Sequence, residues 1–111
     1  MTAPLSLIKG TLDTLVLKSL SWGPRHGFEV TSWLEERSTG HLAIDDGALY
    51  QALHRMEERE LIRAEWGVTS NNRRARYYSM TPAGRAHLRA ESSALVRYAE
   101  TVVSILSART A

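Results

Sequence analysis

The chain has 111 residues, of which 43% are hydrophobic and 23% are charged, and it contains no cysteine. This length suffices for one domain with a modest core, and the lack of cysteine excludes disulfides, thiolate metal sites and cysteine nucleophiles. No run is apolar enough to predict a membrane span, and the first nine residues lack the pattern of an export signal. We therefore expect a single-domain cytoplasmic protein.

Charge is unevenly distributed along the chain, although the formal net charge is only +2. Residues 70–90 carry five arginines and no acidic residue, whereas residues 27–65 carry nine acidic residues and four arginines. This segregation predicts that the segment over residues 70–90 meets an anion.

Three helices are predicted in the first half of the chain. Apolar residues at three- and four-residue spacing predict a helix over residues 5–20, and its broad apolar surface indicates cover by a partner chain. A second helix is predicted over residues 26–37, and a third extends from a cap at Asp45 or Asp46 to about residue 59. Residues 41–44 predict a short edge strand. Three tryptophans, Trp22, Trp33 and Trp66, are interpreted as core residues.

A β-hairpin and a long helix are predicted in the second half. Alternating residues 61–68, a polar loop over residues 69–72 and a return strand over residues 74–80 form the hairpin. Thr81 before Pro82 predicts the start of a helix that extends to about Ser107 and spans roughly 40 Å, too long to pack wholly on its own domain. Its apolar stripe, together with the first helix, predicts a dimerisation surface. The predicted dimerisation residues are Leu5, Ile8, Leu88, Leu95, Tyr98, Val102, Ile105 and Leu106.

The order of these elements predicts the fold class. Three helices, a hairpin and a further helix form a winged helix-turn-helix domain, which is mainly α with a small β-hairpin. The domain covers residues 1–81, and residues 82–111 form a C-terminal dimerisation helix.

Four segments carry a resemblance to a known family. They are KGTLDTLVLKSL (9–20), GPRHGFEV (23–30), GALYQALHRMEERELI (47–62) and EWGVTSNNRRARYYSMTPAGR (65–85). In these segments the sequence resembles the PadR family of bacterial transcriptional regulators, in its short form with a single C-terminal helix. Two positions depart from the family pattern: Gln51 replaces a common proline, and Glu60 replaces a common glycine. The second departure predicts an altered turn into the hairpin.

DNA-contacting residues are predicted first on the third helix. In a helix-turn-helix motif, the second helix presents its N-terminal residues to base edges in the major groove. This places Gln51, His54 and Arg55 at the bases, and Gln51 can form a bidentate pair with adenine. Tyr50 resembles the family tyrosine that contacts the DNA backbone, and a role at the edge of the core is equally open.

The hairpin supplies the other predicted DNA contacts. Its tip and return strand suit phosphate contacts or insertion into a minor groove, and the residues are Asn71, Asn72, Arg73, Arg74 and Arg76. For Arg76 the alternative is an ion pair with Glu65 or another acid. For His26 a phosphate contact and a role at the helix start are both open.

No catalytic, metal or cofactor site is predicted. The four histidines lack metal-ligand spacing, and the sequence has no phosphate-binding glycine loop and no nucleophile motif. Some short members of the resembled family hold flat aromatic drugs at the dimer centre. Because the last helix has no tryptophan, Tyr98 is interpreted as a packing residue.

These observations favour a homodimeric DNA-binding repressor that recognises an inverted repeat of double-stranded DNA. Repression and a small-molecule effector of unknown identity are implied by the family resemblance. The alternative is a winged-helix dimerisation or adaptor module that binds an acidic protein, suggested by the low net charge and the acids around the third helix. A metal-sensing winged helix is disfavoured by the absence of cysteine.

Overall fold

The computed structural model describes residues 7–8 and 10–110 of the chain. Its four helices and three strands confirm the predicted winged helix-turn-helix class, mainly α with a small sheet. The elements are α1 (Thr11–Ser19), β1 (Arg25–His26), α2 (Gly27–Arg37), α3 (Asp46–Glu58), β2 (Ile62–Val68), β3 (Arg74–Met80) and α4 (Pro82–Leu106).

The first helix is shorter than predicted. It begins directly after Gly10, whose φ of 88° lies in the left-handed region that L side chains rarely adopt. Leu7 and Ile8 therefore precede α1, and the helix predicted over residues 5–20 is wrong at its start. The predicted contact residue Leu5 lies outside the described residues.

The predicted hairpin forms from β2 and β3. The two strands pair in antiparallel register from Ile62 opposite Met80 at the core end to Val68 opposite Arg74 at the tip. Because side chains alternate across a strand, every second pair lies on the core face of the hairpin.

The third strand of the sheet is β1, which lies beside β3 in the order β1-β3-β2. Arg25 pairs with Tyr78 and His26 with Tyr77. Residues 41–44, predicted as an edge strand, form only an isolated β-bridge at Leu42 and do not join this sheet. A two-residue strand is held by backbone hydrogen bonds and has no side-chain periodicity that a sequence pattern could reveal.

The core lies between α1, α2, α3, the inner end of α4 and the sheet. Its buried hydrophobic residues are Val16, Leu17, Leu20, Val30, Leu34, Ile44, Leu49, Ala52, Leu53, Met56, Leu61, Ile62, Tyr78, Met80 and Leu88. Leu17 is fully buried, since α2, α3 and α4 all contact α1.

Two tryptophans interpreted as core residues lie at the surface. Trp22 is 61% exposed and Trp66 is 62% exposed, whereas Trp33 packs against the edge of the core. The rings of Trp22 and Trp33 are 5.4 Å apart, and Lys18 Nζ lies 5.1 Å from the Trp22 ring. Both exposed tryptophans follow the apolar pattern of their segments, but neither lies in the buried core.

Side-chain caps fix the starts of α3 and α4 at the predicted positions. Asp45 Oδ2 accepts a hydrogen bond from the backbone N–H of Ala48 at 2.9 Å. Thr81 Oγ1 accepts one from Gly84 at 3.0 Å, and Pro82 occupies the first position of α4. These oxygens satisfy helix N–H groups that otherwise have no partner.

The turn from α3 into β2 passes through Glu60, whose φ is 60°. The prediction of an altered turn is therefore wrong, because Glu60 adopts the left-handed geometry that favours glycine. The backbone N–H of Leu61 donates to the carbonyl of Met56 at 2.9 Å and closes the turn. Holding a glutamate in this conformation costs on the order of 1–2 kcal/mol.

Helix α4 packs on the body of the domain only at its inner end. A Cβ at Gly84 would collide with the carbonyl oxygen of Leu61, and Leu88 is buried. The radius of gyration is 15.8 Å, whereas a compact chain of this length has about 13 Å. The outer half of α4 (residues 95–106) has no buried side chain. Within the described ranges, no helix combines the length and the apolar character that crossing a bilayer requires.

Candidate nucleic-acid interface

Four predicted base- or backbone-contacting residues lie together on the exposed face of α3. Tyr50, Gln51, His54 and Arg55 line one shallow surface. Their spacing of three and four residues places them on one side of the helix, opposite the buried face. The structure thus brings together the set that the sequence assigned to the major groove.

Two of these side chains already have charged partners. Arg55 Nη2 donates a hydrogen bond to Asp13 Oδ1 of α1 at 2.8 Å. His54 Nε2 lies 3.4 Å from Glu58 Oε1, one turn further along α3. The Gln51 amide is exposed and makes no hydrogen bond to any other side chain or backbone group that the structure describes. Gln51 is therefore available to a base edge.

The tip of the hairpin is a closed loop over residues 69–73. The N–H of Thr69 donates to the carbonyl of Arg73 at 2.8 Å, and the N–H of Asn72 donates to the carbonyl of Thr69 at 2.9 Å. Thr69 Oγ1 accepts from the N–H of Arg73 at 3.2 Å. Asn72 has a φ of 62°, which asparagine tolerates better than most residues. The loop backbone is thus fixed while Asn71, Asn72 and Arg73 remain exposed. We call β2, this loop and β3 the wing.

Three of the four arginines of the wing lie in its tip and return strand, and they differ in their partners. Arg76 Nη2 donates to Glu57 Oε2 of α3 at 2.9 Å, so the ion-pair alternative holds for Arg76, with Glu57 in place of Glu65. The guanidinium of Arg74 lies 4.6 Å from the centroid of the Trp66 ring. Neither Arg73 nor Arg74 forms an ion pair in the described part of the chain. Their charges are therefore available to an anion.

His26 caps α2. Its Nδ1 accepts from the N–H of Glu29 at 3.4 Å, and Glu29 Oε1 accepts from the N–H of His26 at 3.1 Å. The ring also meets Tyr77 edge-on at 5.3 Å. The helix-start role of His26 is thus present in the structure, and its phosphate contact stays a prediction.

A cleft of about 720 Å³ joins the starts of α2 and α3 to the wing. Its walls include Phe28, Tyr50, Trp66, Arg73, Arg74 and Arg76. The three aromatic side chains are 55–75% exposed, with Tyr50 resting its hydroxyl end against Gly27. Exposed aromatic surface beside unpaired arginines indicates a binding surface. Tyr50 is thus a surface residue of this cleft.

Tyr78 lies at the inner end of the same cleft and is 5% exposed. Burial raises the pKa of its hydroxyl, and the positive charge of Arg76 lowers that pKa in part. Tyr78 is therefore neutral near pH 7, and the cleft is lined by the charged side chains of Arg73, Arg74, Arg76 and Glu29. No group of three potential metal ligands occurs within residues 7–8 and 10–110.

Sequence reasoning missed Phe28 and Trp66 as residues of this surface. Trp66 pairs with Arg76 across the hairpin, so the pairing register places the tryptophan beside an arginine. Phe28 is off the inward positions Val30 and Leu34 of α2. The hairpin register would have identified Trp66 from the sequence, and the position of Phe28 outside the inward face of α2 would have identified Phe28.

The predicted dimerisation residues fall into two groups. Leu88 is buried in the core of its own chain, so it is not available to a partner, and its assignment to the dimer surface is corrected. The remaining described residues are half-buried or exposed, namely Ile8, Leu95, Tyr98, Val102, Ile105 and Leu106. Val96 and Val103 add exposed apolar surface that the predicted stripe omitted. The outer half of α4 is thus apolar and uncovered in the single chain.

Comparison with known proteins identifies the family. The family model described as the transcriptional regulator PadR-like family matches residues 16–90. The chain belongs to the PadR-like family. A transcriptional regulator of Mycobacterium tuberculosis is 37% identical to this PadR-like chain over 73 residues, which cover 65% of this chain and 67% of that protein.

Solved structures of PadR-like and related regulators share the fold. A transcriptional regulator from Clostridium thermocellum superposes with a TM-score of 0.79 at 24% identity, covering 91% of this chain and 97% of that one. A transcriptional regulator from Thermoplasma acidophilum gives 0.73 at 31% identity, covering 90% and 95%. Bacillus subtilis PadR in complex with operator DNA gives 0.64 at 19% identity, covering 71% of this chain and 45% of that one.

Proposed function

We propose that this PadR-like regulator binds duplex DNA as a homodimer and represses transcription from an inverted-repeat operator. The observation that carries the proposal is the cleft between α3 and the wing. It has Tyr50 of α3 on one side and Arg73 and Arg74 of the wing on the other. A duplex seated here meets both elements, and two unpaired arginines face its phosphates.

Each element has its own role on the duplex. Gln51 and His54 face base edges in the major groove, where a bidentate glutamine pair with adenine contributes about 1–3 kcal/mol of discrimination. Tyr50 and His26 contact the backbone, while Asn71, Asn72 and the wing arginines contact phosphates or the adjacent minor groove. Arg55 and Arg76 contribute from positions already restrained by carboxylates.

A second copy of the chain covers the outer half of α4. Tyr98, Ile105 and Leu106 are each more than 60% exposed, and a monomer rarely leaves such a contiguous apolar surface uncovered. A two-fold dimer reads two copies of the same sequence in opposite orientation. Its half-sites are expected about 34–36 Å apart, one turn of the duplex.

The regulator has no catalytic step in this proposal and acts in the cytoplasm. Family membership supports repression through occupancy of the operator. A small-molecule effector would release the DNA by favouring an arm angle with the wrong half-site spacing.

Selection from randomised duplexes with the purified protein tests the proposal. We expect enrichment of an inverted repeat with half-sites one helical turn apart, bound by two chains per duplex. Enrichment of a single unrepeated site, or none, would contradict the proposed dimeric recognition.

Two substitutions separate base reading from phosphate contact. Gln51→Ala is expected to relax the preference at one base pair, with about 1–3 kcal/mol less discrimination. Arg73→Ala is expected to weaken all duplexes equally and to lower the salt dependence by about one phosphate contact. Equal effects of both substitutions on matched and random DNA would refute this division.

The adaptor alternative remains a second candidate, because Asp45 and Asp46 are exposed at the start of α3 and oppose a close phosphate approach. An adaptor would keep the dimer and the wing but would show no enrichment in the duplex selection.

A further inference from the structure

One face of the wing holds a continuous set of contacts that begins on α3 and ends near the tip. Glu57 of α3 bonds Arg76, whose guanidinium lies 5.9 Å from the Trp66 ring. The guanidinium of Arg74 lies 4.6 Å from the same ring. Trp66 therefore connects an arginine anchored to α3 with an arginine near the tip of the wing.

The pairing register explains why these side chains meet. Trp66 pairs with Arg76 and Val68 pairs with Arg74, two residues further toward the tip. Alternation places all four on the face that carries the core pair Ile62 and Met80 lower in the hairpin. Above the core, the indole remains 62% exposed and the arginines are its partners.

Arg74 and Arg76 differ in whether their guanidinium groups are free to bind a new partner. The charge of Arg76 is offset by Glu57, whereas Arg74 has no carboxylate partner in the portion of the chain described. Guanidinium is weakly hydrated, and its plane stacks well on an indole while its N–H groups stay free. Arg74 is thus pre-oriented and still able to donate hydrogen bonds.

We propose that Trp66 is a positioning residue that holds Arg74 for insertion into the minor groove beside each half-site. This inference rests on the proposed DNA-binding function and adds a specificity to it. Narrow A·T-rich minor grooves have the more negative potential and attract arginine. The protein therefore prefers half-sites flanked by A·T pairs, although no side chain need read those pairs directly.

The loop geometry supports this insertion. Thr69 bonds both the carbonyl and the N–H of Arg73, so the backbone preceding Arg74 is fixed. The ion pair between Arg76 and Glu57 also links the wing to α3. One duplex thus meets α3 in the major groove and Arg74 in the neighbouring minor groove.

The test compares two duplexes that share the half-sites recovered by selection and differ only in A·T or G·C flanks. The wild-type protein is expected to bind the A·T-flanked duplex more tightly. Trp66→Ala is expected to reduce that preference by about two- to fivefold, the range for losing an exposed cation–π contact. Because Arg74 keeps its charge, the slope of log Kd against log salt is expected to stay unchanged.

Matched variants separate positioning from charge and from general apolar contact. Trp66→Phe keeps a ring and is expected to retain most of the preference. Trp22→Ala removes an indole of similar exposure, 61%, from the segment between α1 and α2, away from the wing, and is expected to leave the flank preference unchanged. Arg73→Gln is expected to weaken both duplexes equally.

A measurement without DNA checks the stacking itself. In the wild-type NMR spectrum, the Arg74 side-chain protons are expected to be shifted upfield by the indole ring, and Trp66→Ala is expected to remove this shift. Equal loss of affinity for both flanks in Trp66→Ala, or full retention of the flank preference, would overturn the positioning role. Failure of the wild-type protein to bind either duplex would instead overturn the proposed function.

Discussion

The two halves of α4 have the same helical structure and opposite environments. In the inner half, Gly84 and Leu88 are buried against the body of the domain. In the outer half, Tyr98, Ile105 and Leu106 are 63–79% exposed. The inner half is stabilised by contacts within one chain, whereas the apolar surface of the outer half has no partner within the described chain. The same helix therefore combines a folding role with a surface suited to assembly.

This comparison separates what a single chain needs for folding from what the proposed dimer needs. Substitutions in the inner half should destabilise the domain, and those in the outer half should change the mass of the assembly. The wing is a third case, because its exposed Trp66 lies beside the guanidinium groups of Arg74 and Arg76.

The largest expected effect comes from placing a charge in the outer half of α4. Val102→Glu is expected to destabilise the proposed dimer by about 3–5 kcal/mol, because an unpaired carboxylate would be buried in an apolar seam. Sedimentation should then give the mass of one chain, with the helical circular-dichroism signal of the body retained.

Ser93→Glu is the matched control for that substitution. Ser93 is exposed and lies on the opposite side of α4, since nine residues make about two and a half helical turns. The Ser93→Glu variant is expected to keep the mass of the dimer in solution. A dimer in both variants would contradict the proposed seam.

A smaller effect is expected at the close approach of α4 to the turn before β2. Gly84→Ala is expected to destabilise the domain by about 1–3 kcal/mol, because the added methyl group meets the Leu61 carbonyl. Urea denaturation measures this as a lower midpoint. In an unconstrained helix, alanine in place of glycine stabilises, so an unchanged or higher midpoint would show that the inner half is not tightly packed.

The smallest effect concerns the left-handed turn after α3. Glu60→Gly is expected to stabilise the domain by about 1 kcal/mol, since glycine adopts a φ of 60° without steric cost. Thermal unfolding should show a rise of a few degrees. A fall in the unfolding temperature would mean that the Glu60 side chain contributes more than its backbone conformation costs.

The sequence predicts most of the fold because its signals are strong and local. Thr81 and Asp45 cap helices where expected, and the alternation of β2 with a polar loop identifies the hairpin. The left-handed Gly10 shortens the first helix, and periodicity alone does not locate such a break. The strand β1 consists of two residues held by backbone bonds, so no side-chain pattern marks it.

Sequence spacing groups the helix residues of the predicted site on one face, as the structure does, but it does not reveal the partners of these residues. Residue spacing places Tyr50 and Gln51 on one face of α3. Spacing does not reveal that Asp13, distant in sequence, bonds Arg55, or that Trp66 lies beyond the end of the core. Both depend on how helices and strands of finite length are assembled in three dimensions.

Titration of a selected duplex against salt tests the central claim most directly. If the protein binds as a dimer and its wing and α3 contact the DNA backbone, log Kd should rise linearly with the logarithm of the salt concentration. Two chains should then be bound per duplex. A protein that remains a single chain and shows no affinity for duplex DNA in dilute buffer would contradict the account.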